Sequence, residues 1–195
     1  MRRVGLVLAA GQSRRFGAEN KLLARVQGKP LAAWAAEAMR GVPLDHRLAV
    51  VSAPEVAALF AGFEILHADG TEAGLGDNLR LGAARAQALG AERLLVSLAD
   101  MPLMRHGILA EILAACVEGG ASAASDEDRR MPPACFSAAW LDRLTALDGD
   151  RGAGSLLVEL PPEALVRLPA PLLADIDRPD DIAALEALGR SDEPP

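Results

Sequence analysis

Val4-Gly5-Leu6-Val7-Leu8-Ala9-Ala10-Gly11-Gln12-Ser13-Arg14-Arg15-Phe16-Gly17 is the stretch on which the fold turns. Its first half is a short apolar run closed by glycine, which reads as a strand buried on both faces. It falls far short of the roughly 20 apolar residues that a membrane-spanning helix requires. Its second half becomes small and basic without warning. A secretory leader would place a small-residue cleavage pattern there, and Gln12-Ser13-Arg14-Arg15 offers none.

Working outward from this strand, Val4–Ala9, the same kind of run recurs at Leu48–Ser52, Phe63–His67, Leu94–Leu98 and Ala121–Ser125. Between these runs lie alanine-rich or amphipathic segments that predict helices at Leu31–Met39, Glu55–Phe60, Asn78–Leu89 and Ile108–Val117. Strict alternation of this kind predicts an α/β protein: a three-layer, Rossmann-like, mostly parallel sheet with helices on both faces. Ligands of such sheets bind outside the carboxyl ends of the strands.

After Ser125 the alternation weakens. An edge strand is expected at Pro133–Phe136, helices at Ala138–Leu144 and Ala153–Leu160, and a strand at Leu172–Ile176. A last helix is expected over Pro179–Leu188, with proline at its first position and Asp180 and Asp181 opposing its dipole. One domain over residues 1–190 and a flexible tail over 191–195 complete the expected organisation.

The formal net charge of -7 leaves no positive field to gather a polyanion, so nucleic acid is excluded as a partner, and the apolar runs exclude a membrane span. A small phosphate site needs only local cations, and Arg14, Arg15 and Lys21 crowd one early loop. Cys116 and Cys135 are too few for a disulfide framework and predict buried thiols in a reducing cytoplasm. His46, His67 and His106 are too far apart in sequence to suggest a metal cluster.

The loop after the first strand has the parts of a phosphate cradle. Small residues permit close backbone approach, glycine permits the positive φ angles that turn successive amides toward an anion, and the basic residues add charge. It lacks the Gly-Lys-Ser or Gly-Lys-Thr ending of the ATPase loop and the three spaced glycines of a dinucleotide fingerprint. From glycine placement alone an ordinary connecting turn explains it equally well; the cations tip the balance.

Several blocks in order carry a further reading: Leu8 to Gly17, Lys21-Leu22-Leu23, Gly28-Lys29-Pro30-Leu31, Gly74-Leu75-Gly76, Ala99-Asp100-Met101-Pro102, Gly149 to Ala153 and Asp175-Ile176-Asp177-Arg178-Pro179. Together they resemble the nucleoside triphosphate transferases, particularly the branch similar to molybdenum cofactor cytidylyltransferases, and they cover nearly the whole chain. The resemblance implies a nucleotide-diphospho-sugar transferase-like fold that binds an NTP with Mg2+ and releases pyrophosphate. It implies nucleotide binding by Leu8, Ala9, Ala10, Gly11, Gln12, Ser13 and Arg14, and by Gly74, Gly76 and Asn78. It assigns catalytic roles to Arg15, Lys21 and Asp100. Relatives with alanine at the position of Ala10 tend to use CTP, those with glycine GTP, so CTP is the expected nucleotide.

Asp100 follows an apolar strand and should emerge at the sheet edge where the phosphate loop opens. A hard carboxylate oxygen there suits magnesium, which takes one or two carboxylates and completes its shell with phosphate and water. Asp175-Ile176-Asp177 offers a second. If that segment is a strand, its two carboxylates point to opposite faces and only one serves; the resemblance favours Asp177, with Asp175 as the fallback. A plainer role for Asp177 is to steady the start of the last helix.

Departures from the family pattern fall at three places, the smallest being Ala99, which stands where glycine is usual before the metal aspartate. Asp77 stands near a triphosphate it would repel, unless it caps the following helix. Arg129-Arg130-Met131-Pro132-Pro133 replaces a Gly-His-Pro type segment, which leaves Arg130, Pro133 and Asp150 as expected contacts for a small phosphorylated acceptor of unsettled identity. Three functions follow: CMP transfer to a molybdopterin-type cofactor with a client molybdoenzyme, transfer of another NMP to a different phosphorylated metabolite, or a non-catalytic cofactor-binding maturation chaperone. A nicotinamide-dependent oxidoreductase is disfavoured by the absent glycine fingerprint.

Overall fold

The computed structural model describes residues 1–11, 16, 20–68, 74–127, 129–149 and 152–190. Strand β1 (Arg3–Ala9) runs into the Gly11 loop, and a short hairpin follows, β2 (Arg25–Val26) and β3 (Lys29–Pro30). Helix α1 (Leu31–Arg40), β4 (His46–Val51), α2 (Pro54–Ala57), β5 (Glu64–His67), α3 (Leu75–Ala88), β6 (Arg93–Leu98) and α4 (His106–Ala115) then alternate as the periodicity predicts. The rest comprises β7 (Ala121–Ser125), β8 (Arg130–Ser137), α5 (Leu141–Thr145), α6 (Gly154–Leu157), β9 (Leu165–Arg167) and α7 (Pro179–Arg190).

The main sheet has seven strands in the order β5-β4-β1-β6-β8-β7-β9. Strands β5, β4, β1 and β6 are mutually parallel, and β7 and β9 are parallel to each other. Strand β8 alone runs against its neighbours. The result is the mostly parallel, Rossmann-like sheet expected, with helices on both faces.

Period-two alternation divides the core. Val7, Ala9 and Leu95 join a buried cluster with α1 and α4, whereas Val4, Leu6, Leu8, Leu94 and Val96 join a second with α3, α5 and α6. Gly82 lets α3 seat closely on the sheet, because a Cβ there would stand 2.3 Å from the Leu6 Cδ2 atom. Cys116 and Cys135 are free thiols and both buried, as the sequence predicts.

Three sequence-based expectations are corrected. Pro133–Phe136 belongs to β8, an interior strand rather than an edge. Proline is tolerated there because β7 pairs Ala123 with Ala134 and then Ala124 with Met131, so Pro132 and Pro133 fall in the irregularity and owe no ladder donor. Leu172–Ile176 is not a strand: Ala170–Leu173 forms a 3-10 turn after Pro169, and the edge strand is instead β9. The helix expected over Ala153–Leu160 shrinks to a single turn. Among the described residues no helix is long and apolar enough to cross a membrane.

Candidate active site

Strands β1 and β6 pair in parallel with Leu8 opposite Leu98, and the Ala99 amide donates to the Leu8 carbonyl at 3.0 Å. That register delivers Asp100 to the sheet edge beside Ala10 and Gly11. Leu8, Ala9 and Ala10 are buried, so their side chains belong to the core. Gly11 is exposed, with open space where a Cβ would stand. Gln12, Ser13, Arg14 and Arg15, and Asp150 with Arg151, lie outside the described residues.

Lys21 begins a 3-10 turn, Lys21–Leu23, capped by Asn20, whose side chain accepts from the Leu22 amide at 3.0 Å. Leu22 anchors the turn in the core. The Lys21 side chain is thereby carried inward, where Nζ donates to Asp100 Oδ2 at 2.7 Å and to Asp177 Oδ1 at 3.0 Å. Burial pulls the Lys21 ammonium down, but the charges and hydrogen bonds of Asp100 and Asp177 together outweigh it and hold the group above its ordinary value.

Asp175 completes the cluster: Asp100, Asp175 and Asp177 each offer a carboxylate oxygen, all within 4.8 Å of one another. The strand alternation that would have separated Asp175 from Asp177 is absent, because the segment is irregular and is held by the Ile176 amide donating to the Asp100 carbonyl at 2.9 Å. Loss of solvation raises the Asp175 carboxyl above its usual value, and the charges of Asp100 and Asp177 add to the effect. The plainer role considered for Asp177 falls to Asp181, whose Oδ2 accepts from the Asp177 and Arg178 amides at 2.8 and 2.7 Å at the start of α7. A carboxylate inside the first helical turn was the available signal for that cap.

Among the described residues, three carboxylates meet one ammonium in this cluster. At an effective dielectric of about 20, two like charges this close repel by about 3–4 kcal/mol before solvent screening, and by less at the more open Asp175 and Asp177. The donor set is all oxygen, and Asp100 Oδ1 is buried with no hydrogen-bond partner. Both features fit a hard divalent cation such as Mg2+.

Helix α3 carries the remaining block expected to bind nucleotide. Asp77 Oδ2 accepts from the Gly74 amide at 3.1 Å and Oδ1 pairs with Arg80 at 3.1 Å, which is the capping role expected of it. Asn78 is 3% exposed, with Oδ1 buried and unpartnered. The Gly76 amide donates to the Gly149 carbonyl at 2.8 Å, and a Cβ on Gly152 would stand 2.7 Å from Leu75. Gly149 and Gly152 therefore buttress the first turn of α3, a contact their spacing did not reveal. Arg130 Nη1 donates to the Leu157 and Val158 carbonyls at the end of α6. Pro133 sits in the β8 irregularity.

Residues 5–164 match the family described as MobA-like NTP transferase domain. The chain belongs to that family. The chain is 31% identical over 165 residues to the purine catabolism protein PucB of Bacillus subtilis (strain 168), covering 79% of this chain and 80% of that protein. It is 36% identical over 140 residues to a molybdenum cofactor guanylyltransferase of Cereibacter sphaeroides, covering 69% of this chain and 68% of the relative. A solved nucleotidyl transferase from Methanothermobacter superposes with a TM-score of 0.80 at 20% identity, over 98% of this chain and 99% of that one. As a MobA-like NTP transferase the protein has nucleotidyl transfer as its class of chemistry.

Proposed function

We propose that this MobA-like transferase is a Mg2+-dependent enzyme that moves CMP from CTP to a molybdopterin-type acceptor and releases pyrophosphate. The observation that carries the reading is the meeting of Lys21, Asp100 and Asp177. Asp100 and Asp177, with Asp175, would hold the metal, which when bound would neutralise charge on the phosphate oxygens.

In this reading an oxygen of the acceptor phosphate attacks the α-phosphorus in line, and the bond from that phosphorus to the oxygen bridging to the β-phosphate breaks. The electron pair leaves with pyrophosphate. No covalent enzyme intermediate is needed, because positioning and charge neutralisation do the work. Lys21 supplies a buried positive charge to the departing oxygens, the Gly11 turn and Arg14 and Arg15 receive the triphosphate, and Asn78 reads the base with its unpartnered Oδ1. Arg130, Pro133 and Asp150 border the acceptor side. The protein partner is then a molybdoenzyme that takes the finished cofactor in the cytoplasm.

Ala10 supports CTP over GTP through the resemblance, in which relatives with alanine at this position tend to use CTP and those with glycine GTP. The Cereibacter relative, named a guanylyltransferase, favours a second reading, GMP transfer through the same site. Pyrophosphate release measured with each NTP, Mg2+ and a molybdopterin acceptor separates them. CTP as the preferred donor bears out the first reading, GTP the second, and silence with every nucleotide and phosphorylated acceptor overturns both.

A further inference from the structure

The Lys21 ammonium occupies one carboxylate oxygen each of Asp100 and Asp177, where it competes with any divalent cation that would use the same pair. Nζ lies 2.7 Å from Asp100 Oδ2 and 3.0 Å from Asp177 Oδ1, on two oxygens of the acidic cluster. An ammonium that close to both oxygens and a cation bound to both exclude each other. We propose that Lys21 is the resident counter-ion of the nucleotide-free site, and that the divalent cation enters together with the nucleotide, whose phosphates draw the ammonium off the carboxylates. This deepens the functional reading above and rests on its metal assignment.

The chain is built for such an exchange. Lys21 is 7% exposed and leaves a short turn anchored by Leu22, so its long side chain can swing while its backbone stays fixed. Without a cation the cluster would carry adjacent carboxylates in a partly desolvated pocket, which one ammonium relieves and a divalent ion would relieve further. Metal alone must break two charge-assisted hydrogen bonds to enter. A nucleotide offers Lys21 replacement acceptors on its phosphates. Metal and nucleotide therefore tighten each other's binding, a reciprocal coupling that runs through one side chain.

The test is Mn2+ binding followed by electron paramagnetic resonance, without acceptor. Without nucleotide, wild type should bind Mn2+ weakly and Lys21→Met should bind it roughly tenfold to a hundredfold more tightly, the scale of the hydrogen bonds no longer to be broken. Adding CTP should strengthen Mn2+ binding far more in wild type than in Lys21→Met. The double variant Lys21→Met, Asp100→Asn should lose the gain. Equal affinities for wild type and Lys21→Met, with both weakened by Asp100→Asn, would overturn the counter-ion role and leave the metal assignment standing. Mn2+ binding indifferent to Asp100→Asn, with and without CTP, would overturn the metal assignment itself. A reading that needs no variant comes from the wild-type protein: micromolar Mn2+ without nucleotide should leave the rate of reductive methylation of Lys21, read by mass spectrometry, unchanged, and a faster rate counts against the proposal.

Discussion

The Ile176 amide donates to the Asp100 carbonyl at 2.9 Å, locking two segments 76 residues apart so that Asp175 and Asp177 flank the acid in the turn after β6. Ile176 is 1% exposed and belongs to the core, so one side chain fixes the spacing of three carboxylates. Ile176→Ala should cost about 2–5 kcal/mol of stability by cavity formation and weaken Mn2+ binding in the presence of CTP. Ile176→Val should cost only about 0.5–1.5 kcal/mol and bind as wild type. Urea denaturation and metal titration check both.

Asp100→Ala should lower turnover on the order of a hundredfold to a thousandfold, the effect of losing roughly 3–4 kcal/mol of transition-state stabilisation. Pyrophosphate release under single-turnover conditions reads it, with circular dichroism as the control for folding. If the protein were instead a maturation chaperone, wild type would bind nucleotide without turnover, and Asp100→Ala would bind it equally well.

The parts of this architecture that sequence makes legible are those governed by one local rule. Buried parallel strands show as unbroken apolar runs, which is why β1, β4, β6 and β7 stand close to where periodicity puts them. The hairpin of β2 and β3 was not legible because its turn places Gln27 at φ 51 ahead of Gly28 at φ 78, where Asn-Gly would have announced it. Strand β9 has three residues, too few for a period. In the site, Lys21 and Asp100 stood out through their neighbours in sequence, whereas Asp175 did not, because assigning its segment to a strand sent its side chain to the wrong face. The support from Gly149 to Gly76 depends on tertiary packing, which no spacing encodes.

Lys21 should write its raised value into the alkaline limb of stability. A cation held above its ordinary value of 10.5 contributes stability that is fully present below that pH and is lost as pH rises through the folded-state value. Urea unfolding of wild type between about pH 9 and 12 should show this loss, and Lys21→Met, which has no ammonium there, should lack that component. Parallel curves for the two proteins would contradict the ion-pair geometry.

Asp77 acts in the opposite direction. The Gly74 amide, helped by Gly149 and Arg80 against a smaller cost of burial, holds its carboxyl below the ordinary 3.8. Its contribution is present above 3.8 and is lost as pH falls through the lowered value. Asp77→Ala should therefore flatten the acid limb of a thermal-melt series. It should raise the nucleotide KM more than it lowers kcat, since the turn before α3 loses its cap. Asp77→Ser, which keeps a side-chain acceptor, should recover most of the KM effect.

The most direct test is a crystal grown with CTP and Mn2+, the ion located by its anomalous signal. The account predicts one peak within coordination distance of the Asp100 and Asp177 carboxylates and of a phosphate oxygen, with Lys21 Nζ moved onto the triphosphate. A bound nucleotide whose metal sits away from Asp100, or none at that carboxylate while Lys21 stays in place, would contradict it.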